Sequence, residues 1–130
     1  MTQEDKELLL KDLCARLPYG VKLQKTYDTS DPVELYLIDL GHHTIKFYTY
    51  KGEGLTVCDV GNIERFGKLR YKPYLFPLSS MTEEERIAIG NEFAYGKPQK
   101  ALDILHKRHI DYRGLISMGL AVDATGLNIY

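Results

Sequence analysis

Tryptophan is absent from the 130 residues, cysteine occurs twice, and no apolar run approaches the length of a bilayer. A membrane span takes ~18–20 consecutive apolar residues, and the opening stretch offers only Leu8-Leu9-Leu10 after an acid-rich start of Glu4, Asp5 and Glu7. A secretory leader needs a basic start, so the expectation is a cytoplasmic protein with reduced thiols and no membrane partner. Cys14 and Cys58 stand 44 positions apart with no C-x-x-C spacing, which argues against a structural metal site.

Net charge of either sign is also small. The formal net charge is −1, so no global field drives the chain onto nucleic acid or an anionic surface. The distribution is uneven, with eight acids and five bases in residues 1–40, three and six in 41–80, and seven and six in 81–130. The middle third is the basic one.

What the chain has is an ordinary apolar fraction of 44%, ten tyrosines and four phenylalanines. The apolar fraction suits one compact domain over residues 1–130. Thr2 caps a first helix, with Asp5 completing a capping box, and Leu9, Leu13 and Leu17 repeat along one stripe with Leu10 and Cys14 beside it. Glu4, Lys11 and Asp12 are assigned to the solvent face. Pro18-Tyr19-Gly20 ends this helix.

From Val21 the period drops to two. Strands are expected at 21–24, 33–38, 44–50, 55–60 and 69–72, punctuated by Asp28–Pro32, Gly41, Gly52–Gly54 and Gly61-Asn62. Pro73 and Pro77 then stop the sheet. Thr82-Glu83-Glu84-Glu85 is a full capping box opening a helix that runs to Tyr95 and stops at Gly96. Pro98 starts another, carrying Leu102, Leu105 and His109, and a short helical turn spans 113–118. The expected fold is α+β: an N-terminal helix, a curled antiparallel meander of four to five short strands, and two to three C-terminal helices.

Four sets of residues could carry chemistry. Arg65, Lys68, Arg70 and Lys72 are interleaved with Phe66, Tyr71 and Tyr74, a pattern that fits weak nucleic-acid binding through phosphate contacts and ring stacking. The same bases also serve as edge protection for a strand. In an extended stretch Arg70, Lys72 and Tyr74 share one face and Leu69, Tyr71 and Pro73 the other. Asp103, His106 and His109 form part of a metal-ligand set without a fourth member, and His42-His43 have no ligand spacing, so no metal is expected. Gly61 to Leu69 fails as a phosphate loop, because five residues separate the glycines and Leu69 stands where Ser or Thr would hold magnesium. Cys58 beside Asp59 has its thiol pKa pushed the wrong way for a nucleophile, and Ser79-Ser80 lies in no nucleophile elbow. No cofactor is expected and no catalytic residue is assigned; an enzyme is the second alternative.

Three blocks carry a resemblance: Leu10–Lys22 (with Leu17-Pro18-Tyr19-Gly20-Val21), Lys72–Glu85 (with Lys72-Pro73-Tyr74-Leu75-Phe76-Pro77), and Asp111-Tyr112-Arg113-Gly114-Leu115-Ile116 with Gly119-Leu120-Ala121. Together they resemble a group of small proteins, with no activity assigned to the group, from gut Bacteroides-type bacteria and their phages and mobile elements. The resemblance implies a bacterial, element-associated cytoplasmic protein and carries no ligand or catalytic residue. The leading functional expectation is a non-enzymatic interaction protein with a protein partner, its contact surface drawn from Tyr36, Tyr48, Tyr50, Tyr71 and Tyr74.

Overall fold

The computed structural model describes residues 2–26, 32–40, 45–50, 61–62, 64–65 and 68–130, with the backbone alone at 36–37, 39–40, 45–50, 61–62, 64–65 and 68. The expected strand at 55–60, Cys58-Asp59 and His42-His43 lie outside the described residues.

Helix α1 (Gln3–Arg16) opens as the sequence predicts: Thr2 Oγ1 accepts from Asp5 N–H at 3.1 Å while Thr2 N–H donates to Asp5 Oδ2 at 3.2 Å. Its inner face differs from the expected stripe. The buried positions are Leu9, Asp12, Leu13 and Arg16, spaced i, i+3, i+4, i+7, while Cys14 is exposed. Asp12, assigned to the solvent side, is fully enclosed because Arg16 one turn on neutralises it inside the protein. A 3-10 turn (Leu17–Tyr19) and Gly20 at φ 76° lead into the sheet.

The described strands are β1 (Lys22–Lys25), β2 (Val33–Leu40), β3 (Ile45–Tyr50), β4 (Gly61–Asn62), β5 (Glu64–Arg65), β6 (Lys68–Leu69) and β7 (Tyr71–Pro77), followed by β8 (Ile110–Asp111) and β9 (Val122–Asp123). The main sheet runs β4-β3-β2-β1-β7-β8, with β9 also on β7, and β5-β6 form a separate pair. The meander is antiparallel as expected, but β8 and β9 join β7 in parallel, so the sheet is mixed. The α+β class stands.

Pro73 does not stop the sheet; it sits inside β7 opposite Leu23. Thr26 N–H donates to Arg70 O at 2.9 Å, which places the bonded pairs toward β1 at Arg70 and Lys72. Pro73 falls at the intervening position, where its missing N–H costs that ladder nothing.

Two apolar clusters flank β7. Leu9 and Leu13 of α1 pack on Val21, Leu23, Val33, Leu35, Tyr71 and Leu75. Each fully buried leucine contributes about 2–3 kcal/mol. The second cluster joins Ile110 and Phe76 to helices α2 (Glu83–Ala94) and α3 (Pro98–Lys107) through Ile89, Ala101 and Leu105. Helix α2 starts on the predicted box, Glu85 N–H donating to Thr82 Oγ1 at 3.1 Å, and ends at Tyr95 ahead of Gly96. Helix α3 ends before His109, which takes a left-handed φ of 56° instead of a helical one.

Candidate interaction surface

The six residues singled out along the basic stretch do not share one environment. Arg65 and Lys68 are register partners on β5 and β6. Arg70 and Lys72 are half-buried, Arg70 with its guanidinium 5.9 Å from the Tyr71 ring centroid. Tyr71 is wholly buried in the first core cluster, as its alternation with Leu69 and Pro73 dictates. Tyr74 departs from that alternation. It was expected to lie outward with Arg70 and Lys72, yet it is 7% exposed, because β9 runs beside it and Tyr130 bonds its carbonyl. Tyr36, Tyr48 and Tyr50 fall on β2 and β3. Lys72 and Leu69 border an open groove of about 520 Å³ with Asp5, Thr26 and Met118–Leu120.

A polar network that the spacing rules missed lies inside the frame. Asp12 accepts from Arg16 Nε at 2.8 Å on one oxygen and from Arg113 Nε at 3.1 Å on the other. Arg16 Nη2 donates to Ile110 O at 2.5 Å, which fastens α1 to β8. Arg113 Nη2 donates to the Tyr112 hydroxyl at 2.9 Å, and that hydroxyl lies 2.7 Å from His106 Nε2. A guanidinium only donates, so the Tyr112 oxygen accepts from Arg113, and the direction of its contact with His106 Nε2 follows the imidazole tautomer. Burial, then Arg16, lowers the His106 pKa. Asp111 accepts from the N–H groups of Leu115 and Ile116 at 2.9 Å each, closing the turn that follows.

The partial ligand set Asp103, His106 and His109 does not converge. His106 belongs to Tyr112, Asp103 accepts from Gln99 Nε2 at 3.0 Å, and the His109 ring stacks on Tyr130 at 3.7 Å. Among the described residues no group of three His, Cys, Asp or Glu side chains is placed to hold a metal ion. No helix among them is long and apolar enough to cross a membrane.

The network binds the first and third sequence blocks through Asp12, Arg16 and Arg113. Its geometry is that of a clamp, since Asp12, Arg16 Nε and Nη2, Arg113 and Tyr112 are each committed to a neighbour in the fold, while the buried Arg16 Nη1 has no hydrogen-bond partner among the described residues. The surface that remains apolar is elsewhere. Of α2, Ile89 alone is buried, while Ile87, Phe93 and Tyr95 are 56%, 51% and 80% exposed. Sequence reading missed this face because α2 carries apolar residues all round and shows no stripe to assign. At 100° per residue, Ile87, Asn91 and Ala94 lie opposite Ile89 and Gly90 lies to one side, and all four are exposed. Comparison with protein-family models, with curated proteins and with solved structures finds no match to this chain.

Proposed function

We propose that this protein is a non-enzymatic interaction domain of a bacterial cytoplasm, element- or phage-associated as its three sequence blocks imply. Its contact surface for another protein is the exposed apolar part of α2 and its C-terminal end. The observation that carries this reading is the exposure of Ile87, Phe93 and Tyr95 on a helix anchored by Ile89. Large apolar side chains grouped on one element and left in water mark contact surfaces more often than a lone exposed leucine does. Tyr and Phe also contribute strongly to binding per side chain ordered. The α1 clamp supports the same reading, because a rigid frame lets a surface helix bind without paying to order itself.

The test is capture of the tagged protein from its native host, with and without nuclease, alongside an Ile87→Lys/Phe93→Ser variant. A protein retained after nuclease and lost with the variant supports the reading. Retention by the variant places the contact surface elsewhere, and nucleic acid captured only in the untreated half transfers the role to Arg70 and Lys72.

A further inference from the structure

We infer that residues 125–130 form a strap latched at Tyr130 over the junction of β1, β7 and β8, and that protonation of His109 opens it while the rest of the fold stays closed. The device does not depend on the partner proposed for α2.

The strap is fastened at one end. Thr125, Gly126, Leu127 and Asn128 are all exposed. The segment leaves β9 through a turn in which Thr125 N–H donates to Asp123 Oδ1 at 2.9 Å and Leu127 N–H to Ala124 O at 3.1 Å. Gly126 at φ 75° and Asn128 at φ 54°, residue types that tolerate left-handed backbone, direct it back to β1. There Lys22 Nζ donates to Ile129 O, Lys22 N–H donates to the Tyr130 hydroxyl, and that hydroxyl donates to Tyr74 O, each at 2.8 Å. An exposed segment is thus held by its last two residues.

The Tyr130 ring lies on His109, with centroids 3.7 Å apart and planes 12° from parallel. His109 Nδ1 is buried and has no hydrogen-bond partner among the described residues. A charged imidazole carries a proton on both nitrogens, so its Nδ1–H would stand there without an acceptor. The Tyr130 face attracts a cation but accepts no hydrogen bond from Nδ1. The charges acting on the ring are all positive: Arg16 from α1, Arg108 from the end of α3 and Lys22 from β1. Burial and then these cations hold the His109 pKa at about 4. Lifting the strap admits water to the ring and releases Lys22 Nζ from Ile129, so the open form takes the proton. It also uncovers Phe76, whose ring centroid lies 6.1 Å from that of Tyr130.

Native-state hydrogen exchange on the full chain tests this between pH 7 and 4, with and without sub-denaturing urea. The Lys22 amide reports the latch; the Leu35 amide, which donates to Val21 O at 3.0 Å, reports the sheet. Lys22 is expected to be less protected than Leu35 and indifferent to urea, as a local opening requires. Its protection is expected to fall by up to about tenfold per pH unit from 6.5 to about 4, on the order of 100-fold in all. His109→Asn is expected to abolish the fall. Arg108→Gln, at a side chain 61% exposed, is expected to reduce it, because the closed form then accepts the proton at higher pH. Equal protection and equal urea dependence at Lys22 and Leu35 would overturn the strap. No fall at Lys22, or a fall that persists in His109→Asn, would overturn His109 as the trigger.

Discussion

Arg113 Nε reaches Asp12 Oδ1 at 3.1 Å across 101 positions of sequence, and this contact fastens the turn after β8 to the first helix. Asp12 is fully enclosed and its other oxygen is taken by Arg16. Replacing one partner of a buried pair leaves the rest charged and unmatched. Asp12→Asn is therefore expected to cost about 3–5 kcal/mol, read as a lower urea midpoint. Arg113→Ala, at a side chain 18% exposed, is expected to cost less, about 1–3 kcal/mol. Equal losses from the two variants would show that Arg113, not Arg16, is the main counter-charge.

His109 supplies a pH dependence. Burial first, then Arg16, Arg108 and Lys22, lower its pKa from 6.5 to about 4. The folded state refuses a proton that the unfolded state accepts, so this stability is complete above pH 6.5. It is lost as pH falls from there through about 4. Allowing for partial solvent screening, the loss is on the order of 2 kcal/mol. His106 is lowered as well and adds in the same direction. Urea midpoints between pH 7.5 and 4 should fall, and His109→Asn, which tolerates the left-handed backbone, should flatten the slope. A midpoint unchanged over that range would refute the assignment.

The Tyr130 hydroxyl occupies the end of the β1–β7 ladder. It accepts from Lys22 N–H at 2.8 Å and donates to Tyr74 O at 2.8 Å. Its pKa is pushed up to about 12, chiefly by burial, so it remains a donor at any ordinary pH. Tyr130→Phe keeps the stacking on His109 and removes both bonds. The expected cost is about 1 kcal/mol, with faster hydrogen exchange at the Lys22 amide.

Local signals in the sequence were legible because their partners are three or four residues away. Thr2 with Asp5 and Thr82 with Glu85 announce both helix starts, and Gly96 announces a stop. The parallel strands were hidden because Tyr74 meets Val122 and Phe76 meets Ile110 through folding of the whole chain, and two-residue strands leave no period to read. Asp12 and Arg16 look like surface charges on a helical wheel until Arg113 and Ile110 arrive. The α2 surface was invisible for the opposite reason: its apolar residues looked like core, and only the packing of Ile89 on α3 decides which side is left in water.

Gly20 and Gly90 make a contrasting pair of substitutions. Gly20 holds φ 76°, and an added Cβ would come within 2.9 Å of Glu34 Oε1. The side-chain tip can swing aside, but the left-handed backbone cannot be relieved without breaking the junction between the Leu17–Tyr19 turn and β1. Gly20→Ala is expected to lower stability by about 1–2 kcal/mol. Gly90 lies inside α2 with open space around it, so Gly90→Ala is expected to raise stability by roughly 1 kcal/mol at low protein concentration. Thermal melts of the two variants should move in opposite directions. A loss at Gly90 in dilute solution would mean that the helix needs that position bare within the single chain.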